Sequence, residues 1–383
     1  MYGFLLGREF KISVAEIISA FPNATTIYQS KEILVLENIS KEEILSKITR
    51  IGGTIKVTTI EETTKTIQEA LEEKAPYEGK FRYGLNLFWE RVSMKEILMK
   101  VKKHLRSKDI SARFTNKDFK NLNAAQIIGE NLVKRESDFN FIFTKEVTYF
   151  GQTIWIQDIN SYGERDYSKD RDMQIGMLPP KLSQMMINLS EGSTIYDPFV
   201  GLWTILIESL YMGNTKVYGS DLNEKMVDTS LHNCKEVAKK LDMTADIQTE
   251  KLNAKFIHES QYFDKWVDAI VTEGYLGEIM TKKNIAVDRI EKQRESLEKI
   301  YSAFFENLSK INYSGNIVIS FPFWEIRWKY FYFEEIYKIL AKYCEVQSFF
   351  PDDYQISATK SGSLLYKRDS QLVWREIFKL KMK

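Results

Sequence analysis

Cysteine and histidine are scarce in this 383-residue chain: there are two cysteines, Cys234 and Cys344, and three histidines, His104, His232 and His258. Two cysteines cannot make a disulfide framework, and with so few histidines no structural zinc site or other bound metal is expected. A reducing cytoplasm is the expected compartment. No apolar run approaches the roughly 18 residues that a membrane span needs. The apolar start, Met1 to Gly7, meets Arg8 and Glu9 at once, too early for a signal peptide. Charge of one sign is lacking too: 54 Lys and Arg against 53 Asp and Glu leave +1, so a nucleic-acid surface has to be a local patch. No Gly-x-x-x-x-Gly-Lys occurs, which excludes a phosphate-cradling P-loop. No Gly-x-Ser-x-Gly elbow occurs either, which argues against an α/β-hydrolase. There is no internal repeat and no low-complexity tract.

What is present is ordinary for a globular protein, 44% hydrophobic and 28% charged. At roughly 150 residues per domain, the length suggests two or three domains. Residues 1–75 alternate short strand-like and helix-like stretches and predict a small α+β unit. Within it, Ser13 to Phe21 reads as a helix, with Ser13 at the N-cap and Glu16 in the capping-box position. Residues 76–160 predict a second unit, with a helix over Ser93 to Leu105 whose apolar residues recur at helical spacing. Residues 161–190 form a connector that ends at Pro179-Pro180, and Arg165, Lys169 and Arg171 in it either touch phosphate or are solvated. From 191 to 383 strands and helices alternate, predicting a parallel sheet with helices on both faces and an antiparallel hairpin over 362–381 at its edge. A helix is expected from Trp328 to Cys344. Phe321 to Trp324 reads as core or rim packing, and His232 and His258 as surface groups.

Between Arg91 and Lys120 ten Lys or Arg face three Asp or Glu, with Phe114 and Phe119 interleaved. Such a run is a solvated helix face or a phosphate-binding surface. Against a neutral background it is read here as the latter, with Arg91, Lys102, Lys103, Arg106, Arg113, Lys117 and Lys120 as RNA contacts.

Asp197-Pro198-Phe199-Val200-Gly201-Leu202-Trp203-Thr204 lies between the first strand of the C-terminal region and its helix. Ligands of doubly wound sheets bind at the carboxyl ends of strands, where a glycine admits close backbone approach and a helix N-terminus offers free N–H groups. Asp221 ends the next strand, 24 residues after Asp197. An acid there suits a ribose diol, although by itself it reads equally as a helix N-cap. Together the two features predict a nucleoside-type cofactor.

These residues resemble a known family. Asp197 to Thr204 is similar to the Asp-Pro-Phe-x-Gly-x-Gly-Thr motif of S-adenosylmethionine-dependent RNA methyltransferases. Gly176 to Leu182, with Asn188-Leu189, resembles the segment before that motif in THUMP-type tRNA guanine-N2-methyltransferases. Leu6-Gly7-Arg8-Glu9 and residues 76–160 look like that family's ferredoxin-like and THUMP domains, and Leu365 to Arg368 and Arg375 to Ile377 fit its ending. The resemblance implies a ferredoxin-like domain over 1–75, a THUMP domain over 76–160, a linker over 161–190 and a Rossmann-like methyltransferase domain over 191–383. It implies S-adenosylmethionine as cofactor, held by Leu178, Pro179, Asp197, Phe199, Gly201, Asp221 and Asn253, and tRNA as substrate. An activator protein or a second copy is a further possible partner.

The family's catalytic Asp-Pro-Pro-Tyr-Gly corresponds to Glu273-Gly274-Tyr275-Leu276-Gly277. A guanine amine is weakly nucleophilic because its lone pair is conjugated with the ring. An acceptor, Glu273, has to aim it at the methyl sulfonium, and a flat ring, Tyr275, has to stack on the flipped base. Two positions depart from the motif. Trp203 replaces its second glycine, so the ring either points away or narrows the pocket. Asn253 replaces the usual acid facing the adenine amine, where its carbonyl can still accept. The alternatives are a catalytically inactive RNA-binding protein that keeps the fold, or a methyltransferase for adenine N6 or a ribosomal guanine.

Overall fold

The computed structural model describes residues 1–76, 78–88, 93–167, 178–281, 284–352, 354–368 and 371–383. Arg91, Lys169, Arg171, Gly176, Met177 and the Asp369-Ser370 turn lie outside the described residues. The chain divides into two α/β units: one of Met1–Phe10, Phe21–Ile48 and Thr54–Glu164, the other of Lys11–Ala20, Thr49–Gly53 and Arg165–Lys383.

In the first unit the strands are β1 (Tyr2–Leu6), β2 (Thr25–Gln29), β3 (Ile33–Glu37), β4 (Thr54–Thr59), β5 (Glu61–Thr63), β6 (Phe81–Phe88), β7 (Ala112–Phe114), β8 (Asp138–Phe143) and β9 (Thr148–Ile156). They form a sheet in the order β2-β3-β1-β4-β9-β8-β6-β7, with β5 on β9. Rings of Phe81, Tyr83, Phe139, Phe141 and Phe150 pack with Leu98, Val101 and Leu105 of a helix over Met94–Ser107. That helix starts at an N-cap, Ser93, and buries one stripe while Lys102, Lys103 and Arg106 stay exposed. Asp138 is fully enclosed: its carboxylate accepts from Lys56 Nζ at 2.8 Å, Thr153 Oγ1 at 2.5 Å and Asn86 Nδ2 at 2.9 Å. Asn116 and Asn121 each pair, through one side-chain amide, with both backbone groups of Leu85 and of Leu87, extending the ladder where strand β7 has ended.

The helix expected from Ser13 begins earlier, over Phe10–Ala20, and Ser13 is buried inside it. Glu16 caps nothing; it accepts from Gly52 N (2.8 Å), Gly53 N (2.7 Å) and Asn188 Nδ2 (2.7 Å). Distant donors satisfied the carboxylate that a local capping box would have used.

In the second unit the strands are β10 (Thr194–Asp197), β11 (Lys216–Asp221), β12 (Asp246–Lys251), β13 (Ala269–Thr272), β14 (Asn316–Ile326), β15 (Lys329–Tyr332), β16 (Cys344–Val346), β17 (Leu364–Tyr366) and β18 (Val373–Met382). The order is β12-β11-β10-β13-β14-β18-β16, with β15 on β14 and β17 on β18. Strands β12 to β14 are parallel, and β18 runs antiparallel to β14. This is a Rossmann-like sheet whose order reverses between β10 and β13, the place where such sheets bind ligands. Helices over Pro180–Ser190, Thr204–Tyr211, Glu224–Lys240 and Val287–Lys310 accompany it. The helix expected from Trp328 is shorter, over Glu335–Tyr343. Residues 316–332 instead form a long hairpin, because Phe323 and Tyr332 stack across it at 5.2 Å and its backbone pairs from Phe323↔Tyr332 to Ile326↔Lys329. Among the described residues no helix is long and apolar enough to cross a membrane.

Candidate active site

Three acids end three neighbouring parallel strands: Asp197 closes β10, Asp221 closes β11, and Glu273 follows β13. They line one cleft of about 1620 Å³ with Leu178, Phe199, Gly201, Asn253 and Tyr275. Pro179, the remaining expected cofactor residue, does not line it; it stands immediately before the helix that opens at Pro180.

The loop after β10 is tied down by carboxylates. Asp197 Oδ1 accepts from Phe199 N at 3.0 Å, and Asp221 Oδ2 accepts from Gly201 N at 2.9 Å. Asp221 Oδ1 takes Asn223 N at 2.8 Å. Each oxygen of Asp221 keeps a further lone pair, so the turn-holding and diol-binding readings of this residue are compatible. Asp197 is 2% exposed, and its pKa is pushed up to about 7 by burial, with the negative Asp221 and Glu273 adding to the shift. Thr272 and the Phe199 amide pull it back. Asn253 caps the short helical turn 254–259, its carbonyl accepting from Lys255 N at 3.0 Å.

Trp203 settles its own question of direction. It adopts a left-handed backbone, φ +55°, as a glycine there would, and its ring is 3% exposed. The ring packs with Val200, Leu206, Ile207, Leu210 and Val217 and is not part of the cleft lining. Burying a tryptophan offsets the strain of that backbone, which costs of order 1 kcal/mol or more.

The Glu273-Gly274-Tyr275 segment has its own geometry. Glu273 Oε1 accepts from Arg375 Nε at 2.5 Å, and Arg375 Nη1 donates to Gln371 Oε1 at 2.8 Å. Gly274 has φ +69°, and a Cβ there would meet Tyr301 Oη at 2.5 Å and Ser320 O at 2.9 Å. A proline, fixed near φ −65°, cannot adopt this turn. Tyr301 Oη donates to the Tyr275 carbonyl at 2.9 Å and Ser320 Oγ to the Glu273 carbonyl at 2.7 Å, so the segment is held from beneath. The Tyr275 ring is 40% exposed beside the cleft. The sequence places Arg375 only in the family's ending and gives no role to Gln371 or Tyr301. The one available signal was the glutamate itself, a methylene longer than the motif's aspartate and able to reach a partner on another strand.

The RNA candidates Lys102, Lys103, Arg106, Arg113, Lys117 and Lys120 are exposed and belong to the first unit, whereas the cleft belongs to the second. Phe321, Phe323 and Trp324 are core residues, His232 is exposed, and His258 is half-buried. Among the described residues no group of three or more His, Cys, Asp or Glu could hold a metal ion.

Residues 168–323 match the RMKL-like methyltransferase domain family. A tRNA (guanine(10)-N2)-dimethyltransferase of Pyrococcus abyssi is 32% identical over 146 residues, 38% of this chain and 39% of that protein. A probable tRNA (guanine(10)-N2)-dimethyltransferase of Methanothermococcus thermolithotrophicus is 33% identical over 138 residues, 34% of this chain and 82% of that protein. The chain belongs to the tRNA guanine-N2-methyltransferase family. It spans less than two-fifths of the length of the first curated relatives it matches. The crystal structure of TrmN from Thermus thermophilus shares the fold, with a TM-score of 0.54 at 14% identity over 100% of this chain and 99% of that one. Within this guanine-N2-methyltransferase family member, the matched domain supplies Asp197, Asp221, Asn253, Glu273 and Tyr275, whereas Gln371 and Arg375 come from beyond it.

Proposed function

We propose that this chain is an S-adenosylmethionine-dependent methyltransferase acting on the exocyclic N2 amine of a guanine in tRNA. The observation that carries the reading is the convergence of Asp197, Asp221 and Glu273 on one cleft, with the Tyr275 ring exposed beside them. The cofactor would supply an electrophilic methyl group on a positively charged sulfonium. Asp221 would accept the ribose hydroxyls on the lone pairs that Gly201 and Asn223 leave, and Asn253 would face the adenine. Phe199 and Leu178 give apolar walls, and Asp197, an acid that burial keeps near neutrality, would ionise beside a cationic ligand. Arg375 fixes Oε1 of Glu273, which leaves Oε2 to accept the guanine amine and to stabilise the positive charge that develops on it. Tyr275 would stack on the flipped base.

The N-terminal residues would act as ferredoxin-like (1–75) and THUMP (76–160) domains that capture tRNA phosphates through Lys102, Lys103, Arg106, Arg113, Lys117 and Lys120, joined by residues 161–190 to the methyltransferase domain 191–383. The place of action would be the cytoplasm. Two features favour an enzyme over a fold-retaining RNA binder: the Trp203 ring is turned into the core, and Glu273 is positioned by a dedicated arginine. Incubation with tRNA and S-adenosylmethionine, followed by mass spectrometry of the nucleosides, tests the reading. N2-methylguanosine is the expected product. N6-methyladenosine, or no methylation despite tight binding of both ligands, would overturn it.

A further inference from the structure

The tip of the β14–β15 hairpin is built against the preferences of its own residues. Arg327 and Trp328 are both left-handed, with φ of +48° and +68°, a region where glycine is the usual occupant. Trp328 is 89% exposed, so its ring adds nothing to the core. The base of the hairpin is closely packed by contrast: the Phe323 ring meets Trp374 edge-on at 5.4 Å, Tyr330 lies 5.4 Å from Trp374, and the Lys367 ammonium sits 4.2 Å above Tyr330. Arg327 and Lys329 flank the exposed ring, with Glu325 the one acid between Trp324 and Tyr330.

Its position follows from the topology. Strands β13 and β14 are parallel, so the hairpin continues beyond the same carboxyl edge that carries the cleft. Trp324 pairs with Val373, a residue of the cleft wall, and the tip lies roughly 10 Å further on at strand rise. Trp266 makes the contrast: it is 88% exposed with φ +58°, yet it precedes the amino end of β13 and therefore stands at the opposite edge.

We propose that Trp328, flanked by Arg327 and Lys329, is a stacking platform for an unpaired RNA nucleotide adjoining the one held in the cleft. An aromatic face between cations is the chemistry that grips single-stranded nucleic acid, the ring taking a base and the cations its phosphates. The inference rests on the RNA reading of the cleft and adds the site of a second nucleotide.

The test compares full-length wild type with Trp328→Ala, Trp328→Phe, the double variant Arg327→Ala/Lys329→Ala, and Trp266→Ala. For each, the Kd for tRNA is measured across a salt series, the Kd for S-adenosylmethionine by calorimetry, and the melting temperature. Trp328→Ala is expected to weaken tRNA binding roughly 5- to 100-fold, the range for a lost base stack. Trp328→Phe should keep most of the affinity, and the double variant should flatten the salt dependence. Trp266→Ala should match wild type, and cofactor affinity and melting temperature should hold in every variant. If wild type binds and methylates tRNA while Trp328→Ala does so equally well, the platform is refuted and the cleft reading stands. If wild type binds neither tRNA nor single-stranded RNA, the RNA reading falls and the platform with it. A loss seen only for anionic vesicles or for a protein ligand would assign the hairpin to another partner and overturn the proposal.

Discussion

Asp138 in the first unit and Asp197 in the second are both strand aspartates with almost no exposure, 1% and 2%. Asp138 is compensated inside the fold: a lysine ammonium, a hydroxyl and an amide all donate to it. Asp197 has an amide and a hydroxyl as partners and two acids, Asp221 and Glu273, nearby, and its pKa is pushed up to about 7. The same residue type at the same depth is therefore structural in one place and poised in the other. What separates them is whether a cation was built in alongside. A buried charge matched by its own lysine contributes to a unique packing, whereas one held among other acids is tuned for a ligand that brings positive charge.

The largest effect is expected from Asp138→Asn, which leaves the Lys56 ammonium, 1% exposed, without its anion; chemical denaturation should show a loss of about 3–5 kcal/mol. Asp197→Asn should cost far less stability, because the native carboxyl is already half protonated near neutral pH, and similar losses at the two positions would end the comparison.

Glu273→Gln probes the poised side where turnover is read. Its carbonyl can still accept one hydrogen bond, but the charge that stabilises a developing ammonium is gone. Turnover should fall about a hundredfold with both dissociation constants nearly unchanged. A fully active variant would move the acceptor elsewhere.

Asp197→Asn should weaken S-adenosylmethionine binding by roughly 1.5–3 kcal/mol, the scale of a charge-assisted contact, as measured by calorimetry. Unchanged affinity would mean that the cationic ligand is met by the other two acids. In the first unit, Lys102→Ala/Lys103→Ala/Arg106→Ala should weaken tRNA binding and lower the salt slope by up to about 0.9 per lost phosphate contact. An unchanged slope would place the RNA face elsewhere.

Stability should also depend on pH. Glu16 and Asp197 both have carboxyl pKa values raised to about 7, in each case by burial. A raised carboxyl pKa stabilises the fold in full below the ordinary range near 4, and that contribution is lost as pH rises through about 7. Melting temperature should therefore fall over this interval, and Glu16→Gln should flatten the decline. A melting temperature that rises between pH 4 and 7 even after the other carboxylates are accounted for would contradict the burial of both groups.

The sequence and the structure part company at particular residues. Acids at the ends of β10 and β11 could be read in advance, because a strand of four to six residues followed by a turn and an apolar helix fixes which residue ends the strand. The exposed stripe of the helix over Met94–Ser107 was legible for the same reason: its period is local. The hairpin at 316–332 was not, since Trp328 to Phe333 is as apolar and aromatic as a buried helix would be, and only the ring contacts across the turn decide for strands.

What the sequence determined by itself was the alternation of strands and helices, the motif order and the acids that end the strands, because all of these depend on neighbours a few residues apart. Tertiary structure alone decided three other things. It turned the Trp203 ring into the core, engaged Glu16 with Gly52, Gly53 and Asn188, and brought Arg375, 102 residues along the chain, to Glu273. In each case a buried group had to find a partner, apolar or hydrogen-bonding, and that partner lies on an element which only the folded sheet places within reach.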